Sequence, residues 1–290
     1  MKENFWSGDF RIIKLPIYYL LYQFLFSVIA MVAVGVYCFS SGILTLDMSN
    51  ERESLLSAIP QELLVWATAL PLFCSAAVML WQLLFFGYFK FGKAPFSEVK
   101  KGVMFLSIML VFAFMFFFNI AAQELELPDV LAETMKQLSN NVIGCFSIAV
   151  LGPILEEVLF RGAIQGYLMR KYNNPWVGII VSAAIFGVIH LNPIQVFYAF
   201  FLGIAFGWIY YRTRSIMPVL IGHVLNNSFA AISMLISGSE TEQELLLSDK
   251  IMLLAGSAVV AVVLVYLINR MLPAVPRPWR GADENPVAEA

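Results

Sequence analysis

Six residues stand where an apolar chain should carry none of their kind. Glu156, Glu157 and Arg161 lie in LEEVLFRG, residues 155–162, at the end of the apolar run VIGCFSIAVLGPIL; the only two histidines, His190 and His223, lie in FGVIH and HVLNN, the second with Asn227. Ionisable groups at membrane depth cost free energy unless they are paired or functional. This particular set contains what amide hydrolysis needs: a base to take a proton from water, and donors to aim at the tetrahedral oxyanion.

Spacing sharpens the set. Glu157 and Arg161 are four positions apart with the acid first, the favourable order for an ion pair on one helix face. Glu156 points about 100° away around a regular helix, so it calls for a second partner, and a histidine can be one. Phe186 and His190 share a face of their segment, as do His223 and Asn227. Each pattern alone has a plain reading, a buried ion pair, a satisfied core histidine, an asparagine that glues helices. Their conjunction favours a site, because all of them fall between Glu156 and Asn227 while the first three and the last apolar runs hold nothing comparable.

The elements that must position these residues are membrane helices. The chain of 290 residues is 60% hydrophobic and 13% charged, with mean hydropathy +0.79, far outside the range of soluble domains. A helix needs about 20 apolar residues to cross roughly 30 Å of hydrocarbon. About eight runs qualify: Pro16–Phe39, Leu63–Phe89, Val103–Ala122, Val142–Leu168, Trp176–Leu191, Ile194–Tyr211, Ile216–Ser237 and Ile251–Leu272. None alternates with a period of two, which argues against a barrel. The expected fold is all-α and polytopic, organised as three spans in 1–140, a catalytic core in 141–237, and a last span with its tail in 238–290.

Charge predicts the orientation. Lys2, Arg11 and Lys14, then Lys90, Lys93, Lys100 and Lys101, then Arg170 and Lys171, Arg212 and Arg214, and finally Arg270, Arg277 and Arg280 occupy one set of connections. The alternate loops are acidic, with Asp47, Glu51, Glu53, Glu62, Glu124, Glu126, Asp129, Glu133, Glu240, Glu242, Glu244 and Asp249 against Arg52, Lys136 and Lys250. By the positive-inside rule both termini are cytoplasmic, as an even number of spans also requires. The net charge of −2 hides this polarity, and no basic surface with stacking aromatics suggests nucleic acid. Cys38, Cys74 and Cys145 lack any paired or metal-like spacing and read as small core residues. The first apolar run is too long for a signal-peptide core and is taken as a span.

Depth agrees for part of the set. Counted at about 1.5 Å per residue from the turn near Tyr172, Glu156 and His190 both lie roughly 21–24 Å along their helices. His223, counted from Ile216, comes out at about 10 Å and Asn227 at about 16 Å by the same rise, an offset the sequence does not resolve. Ser182, Asn192, Gln195 and Asn226 are polar residues near the motifs that could line a cavity.

In this order on successive spans, EExxxR (Glu156, Glu157, Arg161), FxxxH (Phe186, His190) and HxxxN (His223, Asn227) resemble the CAAX-protease and bacteriocin-processing family of intramembrane glutamate endopeptidases, over roughly residues 140–235. The resemblance implies that Glu156 is the general base, His190 its water-binding partner, and His223 with Asn227 the stabilisers of the oxyanion. Glu157 and Arg161 are motif positions to which spacing gives a supporting role. It implies a peptide or membrane-protein substrate and no cofactor. The chain contains no HExxH, no GxSxG in a span and no intramembrane aspartate, yet two histidines and a glutamate suit zinc if they converge. Other classes stay open: a scaffold or bacteriocin-immunity protein that keeps the cluster for packing, and a small transporter using the acids and His190 as a proton relay. No inverted repeat supports the transporter, although Gly152-Pro153 predicts a kink. The expected location is a prokaryotic cytoplasmic membrane. Prenylation of the substrate and oligomeric state are not legible.

Overall fold

The computed structural model describes residues 5–43, 59–89, 96–236 and 246–275, with side chains from residue 14 onward. All the regular structure there is helical: α1 (Phe5–Ser40), α2 (Gln61–Phe85), α3 (Lys101–Glu124), the short α4 (Ala132–Ser139), α5 (Val142–Tyr172), α6 (Pro175–Val188), α7 (Pro193–Thr213), α8 (Met217–Ile236) and α9 (Leu247–Met271). Lys2, Asp47, Glu51, Arg52, Glu53, Lys90, Lys93, Glu240, Glu242, Glu244, Arg277 and Arg280 lie outside the described residues, as does the end of the seventh run at Ser237.

Among the described residues seven helices are long and apolar enough to cross a membrane, namely α1 from Lys14 onward, α2, α3, α5, α7, α8 and α9. The chain is a multi-pass membrane protein. The expected fifth span, Trp176–Leu191, is corrected: α6 has 14 residues, about 21 Å of helix, and stops at Val188. Its boundaries come from one device used twice. In NNP (173–175) and LNP (191–193) a residue with positive φ, Asn173 at 49° and Leu191 at 53°, precedes an extended asparagine and then a proline at the first helical position. A proline disfavours helical backbone in the residue before it and suits the first turn of the next helix.

Packing follows burial. The main helix pairs are α6 with α7, α3 with α9 and α1 with α2, while α5 touches α1, α2, α6, α7 and α8. Helices α5 and α7 are the most buried of the spans and α1 and α9 the least. Small residues let α6 and α7 close up: a Cβ at Gly187 would lie 2.9 Å from the Val196 carbonyl oxygen, and one at Gly203 would lie 3.2 Å from the Ala183 Cα.

Polar ties hold each end of the bundle. Lys250 Nζ pairs with Glu124 Oε1 at 2.7 Å, joining the start of α9 to the end of α3. Asn192 donates to Asp129 Oδ1 at 2.8 Å and accepts from the Val130 N–H at 3.1 Å, pinning the α6–α7 turn to the loop after α3. At the opposite end Arg212 donates to the carbonyls of Leu272 and Pro273, both at 3.3 Å. Cys38, Cys74 and Cys145 are free thiols; Cys38 is buried and the others half-buried.

Candidate active site

Helix α5 carries the two glutamates, and it is not a regular α-helix. A single α turn, Gly152–Glu156, is flanked by two π-helical segments, Ser147–Leu151 and Glu157–Gln165. Such wider turns occur preferentially at functional sites. In the first, the Gly152 N–H reaches back five residues to the Ser147 carbonyl. The Ile148 carbonyl would need the N–H of residue 153, and Pro153 has none. That carbonyl is taken instead by Asn227, whose Nδ2 donates to it at 3.0 Å. The kink expected at Gly152-Pro153 is therefore an exchange of hydrogen-bond partners that docks α8 on α5. The second π segment begins at Glu157, so the junction between the two helix types falls between the two carboxylates.

One half of the cluster is sealed. Glu157, Arg161 and His223 are 0%, 1% and 3% exposed. His223 Nδ1 stands 2.8 Å from Glu157 Oε1, and Arg161 Nε lies 3.2 Å from Glu157 Oε2. The Arg161 guanidinium sits between two rings, 4.8 Å from the centre of Phe186 and 5.1 Å from that of Phe206, where the ring faces attract a cation. Arg161 Nη2 also reaches the Gly203 carbonyl at 3.5 Å. The Nε contact is close in distance but poorly aligned, and Nη1 has no hydrogen-bond partner among the described residues. The attraction here is mainly charge and ring quadrupole.

The other half is partly accessible. Glu156, whose side chain is 14% exposed, lies 3.5 Å from His223 Nε2, longer than an ordinary N–H···O bond. His223 thus stands between both carboxylates and is the second partner that Glu156 required. His190 is half-buried at the end of α6, with Nδ1 2.7 Å from the Phe186 carbonyl oxygen. A carbonyl only accepts, so Nδ1 carries a proton and Nε2 is the nitrogen left to face a ligand. Phe186 earns its place in FxxxH: its ring meets His190 and His223 edge-on, with centroids 5.0 and 6.0 Å away, and covers Arg161.

The structure thus joins Arg161, Glu157, His223 and Glu156 in one chain of contacts, ties Asn227 to the same helix, and links His190 to the group through Phe186. The offset expected for His223 is overturned by these contacts. Ser215 and Ile216 before α8 are fully buried, and Ser215 Oγ donates to the Ser97 carbonyl at 3.0 Å, tying the start of α8 to the segment before α3. The proposed cavity lining is also revised. Ser182 is buried and donates to the Phe160 carbonyl at 3.2 Å, and Asn192 is committed to the Asp129 loop; buried polar groups take partners where the fold supplies them. Two residues escaped sequence reasoning altogether, Phe206 over the Arg161 guanidinium and Tyr198 behind Asn226; aromatic residues are too common in spans for either to signal itself. No group of three or more His, Cys, Asp or Glu side chains suited to a metal occurs among the described residues.

Residues 138–229 match the family described as Rce1-like, type II CAAX prenyl endopeptidase. This segment is similar to that family. All six site residues and the whole π-interrupted part of α5 fall inside it. The chain is 36% identical over 87 residues to YdiL of Bacillus subtilis (strain 168), whose name provisionally calls it a membrane peptidase; the match covers 30% of this chain and 35% of that protein. It is 34% identical over 98 residues to MroQ of Staphylococcus aureus (strain USA300), named a membrane-embedded CAAX protease, covering 32% and 39% respectively. The chain therefore spans little more than a third of the length of these curated relatives. No solved structure matches it.

Proposed function

We propose that this protein is an intramembrane endopeptidase that hydrolyses a peptide bond of a membrane-associated peptide or protein with water activated by Glu156. The observation that carries the reading is the division of the cluster. Glu156, His190 and Asn227 are partly accessible, while Glu157 and Arg161, the charges that satisfy one another, are sealed behind them.

In the proposed reaction a water held between Glu156 and His190 Nε2 gives a proton to the Glu156 carboxylate as its oxygen attacks the scissile carbonyl carbon. The carbonyl π bond opens to an oxyanion. Donors for it are the free N–H of Asn227 Nδ2 and, with both ring nitrogens protonated, the Nε2–H of His223, whose contact to Glu156 is long enough to be redirected. As the tetrahedral intermediate collapses, the C–N bond breaks and Glu156 returns the proton to the leaving amine. Glu157 holds the His223 ring through Nδ1, and Arg161 neutralises Glu157. Metal is not required in this scheme.

A C-terminally lipidated peptide is the substrate class that the matched family's description suggests, and the resemblance carried by the three motifs adds bacteriocin-type peptides. Placement of both termini on the cytoplasmic side of a prokaryotic membrane is part of the same proposal, supported by the basic loops. The test is cleavage by the purified protein in liposomes of a membrane-peptide library with prenylated and unprenylated C-termini, with Glu156→Gln and His190→Ala beside wild type. Product from wild type that is lost in both folded variants supports the reading. Equal inactivity of all three, with loss of stability in the variants, favours a scaffold.

A further inference from the structure

Behind Asn227 runs a chain of side-chain hydrogen bonds whose direction is set by one atom. The Ile148 carbonyl can only accept, so Asn227 must turn Nδ2 toward it, at 3.0 Å, and Oδ1 away. That Oδ1 accepts from Asn226 Nδ2 at 2.9 Å. Asn226 in turn presents Oδ1 to Tyr198 of α7, whose hydroxyl must donate, at 2.8 Å. Asn226 is buried and Tyr198 half-buried, so neither amide nor hydroxyl can readily exchange its partner for bulk water.

We propose that Tyr198 is a positioning residue of the site: acting through Asn226, it holds the Asn227 amide with an N–H rather than the oxygen toward the reacting carbonyl. The inference rests on the reading of Asn227 as an oxyanion donor. An Asn side chain is nearly symmetric in shape, and only its partners distinguish its two edges. With the Tyr198 hydroxyl present, Asn226 Oδ1 and Asn227 Oδ1 each accept from a donor in the row. Without it, Asn226 Oδ1 is buried and unpaired, the row loses its anchor on α7, and the Ile148 carbonyl alone holds the N–H edge of Asn227 toward the developing oxyanion. A purely structural tie between α7 and α8 would use the same bonds but would not couple them to turnover.

Tyr198→Phe in the full-length protein, reconstituted in liposomes, separates these cases. On a peptide from the prenylated and unprenylated library that wild type cleaves, the expected result is a fall in kcat of about tenfold or more, less than the roughly hundredfold or greater loss on deleting an oxyanion donor, with KM within about twofold. Side-chain amide resonances of Asn227 in protein labelled with nitrogen-15 at asparagine, identified by their absence in Asn227→Asp, are expected to move. Unchanged kcat, or a change confined to thermal stability, overturns the proposal. If wild type cleaves no peptide, the peptidase reading fails by itself, and the amide spectrum still decides: Asn227 resonances that move in Tyr198→Phe uphold the coupling, and unmoved ones overturn it. Should Tyr198→Phe not fold, Asn226→Asp, which removes the donor to Asn227 Oδ1 at constant volume, is read in the same way.

Discussion

Glu156 and Glu157 are adjacent in the chain and have opposite surroundings. Glu157 is fully buried and holds two cationic or donor partners, at 2.8 and 3.2 Å; Glu156 is partly exposed and, among the described residues, has one ion-pair contact, at 3.5 Å. The junction from α to π helix falls between them. A carboxylate committed to two close partners serves to hold something in place, whereas one with a loose contact and an open side has capacity left for water. In the proposed mechanism, adjacent and chemically identical residues divide the work of support and reaction by geometry alone.

Substitution can break this contrast or sharpen it. Glu156→Gln removes the proposed base and should lower the single-turnover cleavage rate by about a hundredfold to ten-thousandfold, while thermal unfolding in detergent stays close to that of wild type. A collapse of stability in this variant would mean that Glu156, too, is structural. Glu157→Gln should do the reverse and act first on folding, destabilising by about 3–5 kcal/mol because it leaves Arg161 charged and buried without its counter-ion; denaturant unfolding in mixed micelles measures this. The double variant Glu157→Gln, Arg161→Met should recover about 1–3 kcal/mol of the summed losses as coupling energy. Strict additivity would show that the pair at 3.2 Å contributes nothing as a pair.

The smallest effect is expected at Pro153. Pro153→Ala restores a backbone N–H that can reclaim the Ile148 carbonyl from Asn227, so kcat should fall by about fivefold or less while stability changes by no more than about 1 kcal/mol. A rate unchanged within error would show that Asn227 does not depend on the freed carbonyl.

Much of the site was legible because its residues are costly where they stand. Histidines and glutamates in runs such as VIGCFSIAVLGPIL are conspicuous for the free energy they need from partners, and the spacing of Glu157 to Arg161 named one of those partners in advance. The ion pair is present at that spacing despite the π geometry. The bridge from His223 to both carboxylates was anticipated only as a need of Glu156 for some histidine. Counting along ideal helices went wrong where the chain departs from them, as at the early end of α6.

Composition and hydropathy by themselves determined an all-α membrane protein, since an apolar medium leaves the backbone of a spanning segment few ways to satisfy its hydrogen bonds. Residue types and local spacing likewise marked Glu156, Glu157, Arg161, His190, His223 and Asn227 as one group. Only the tertiary structure decided which glutamate is sealed and which is open, which nitrogen of His190 is free, and that Tyr198 and Phe206 stand behind the site. Those outcomes depend on distances of a few ångströms between helices α5, α6, α7 and α8, and on a carbonyl released by Pro153, which hydropathy and periodicity along a single helix do not encode.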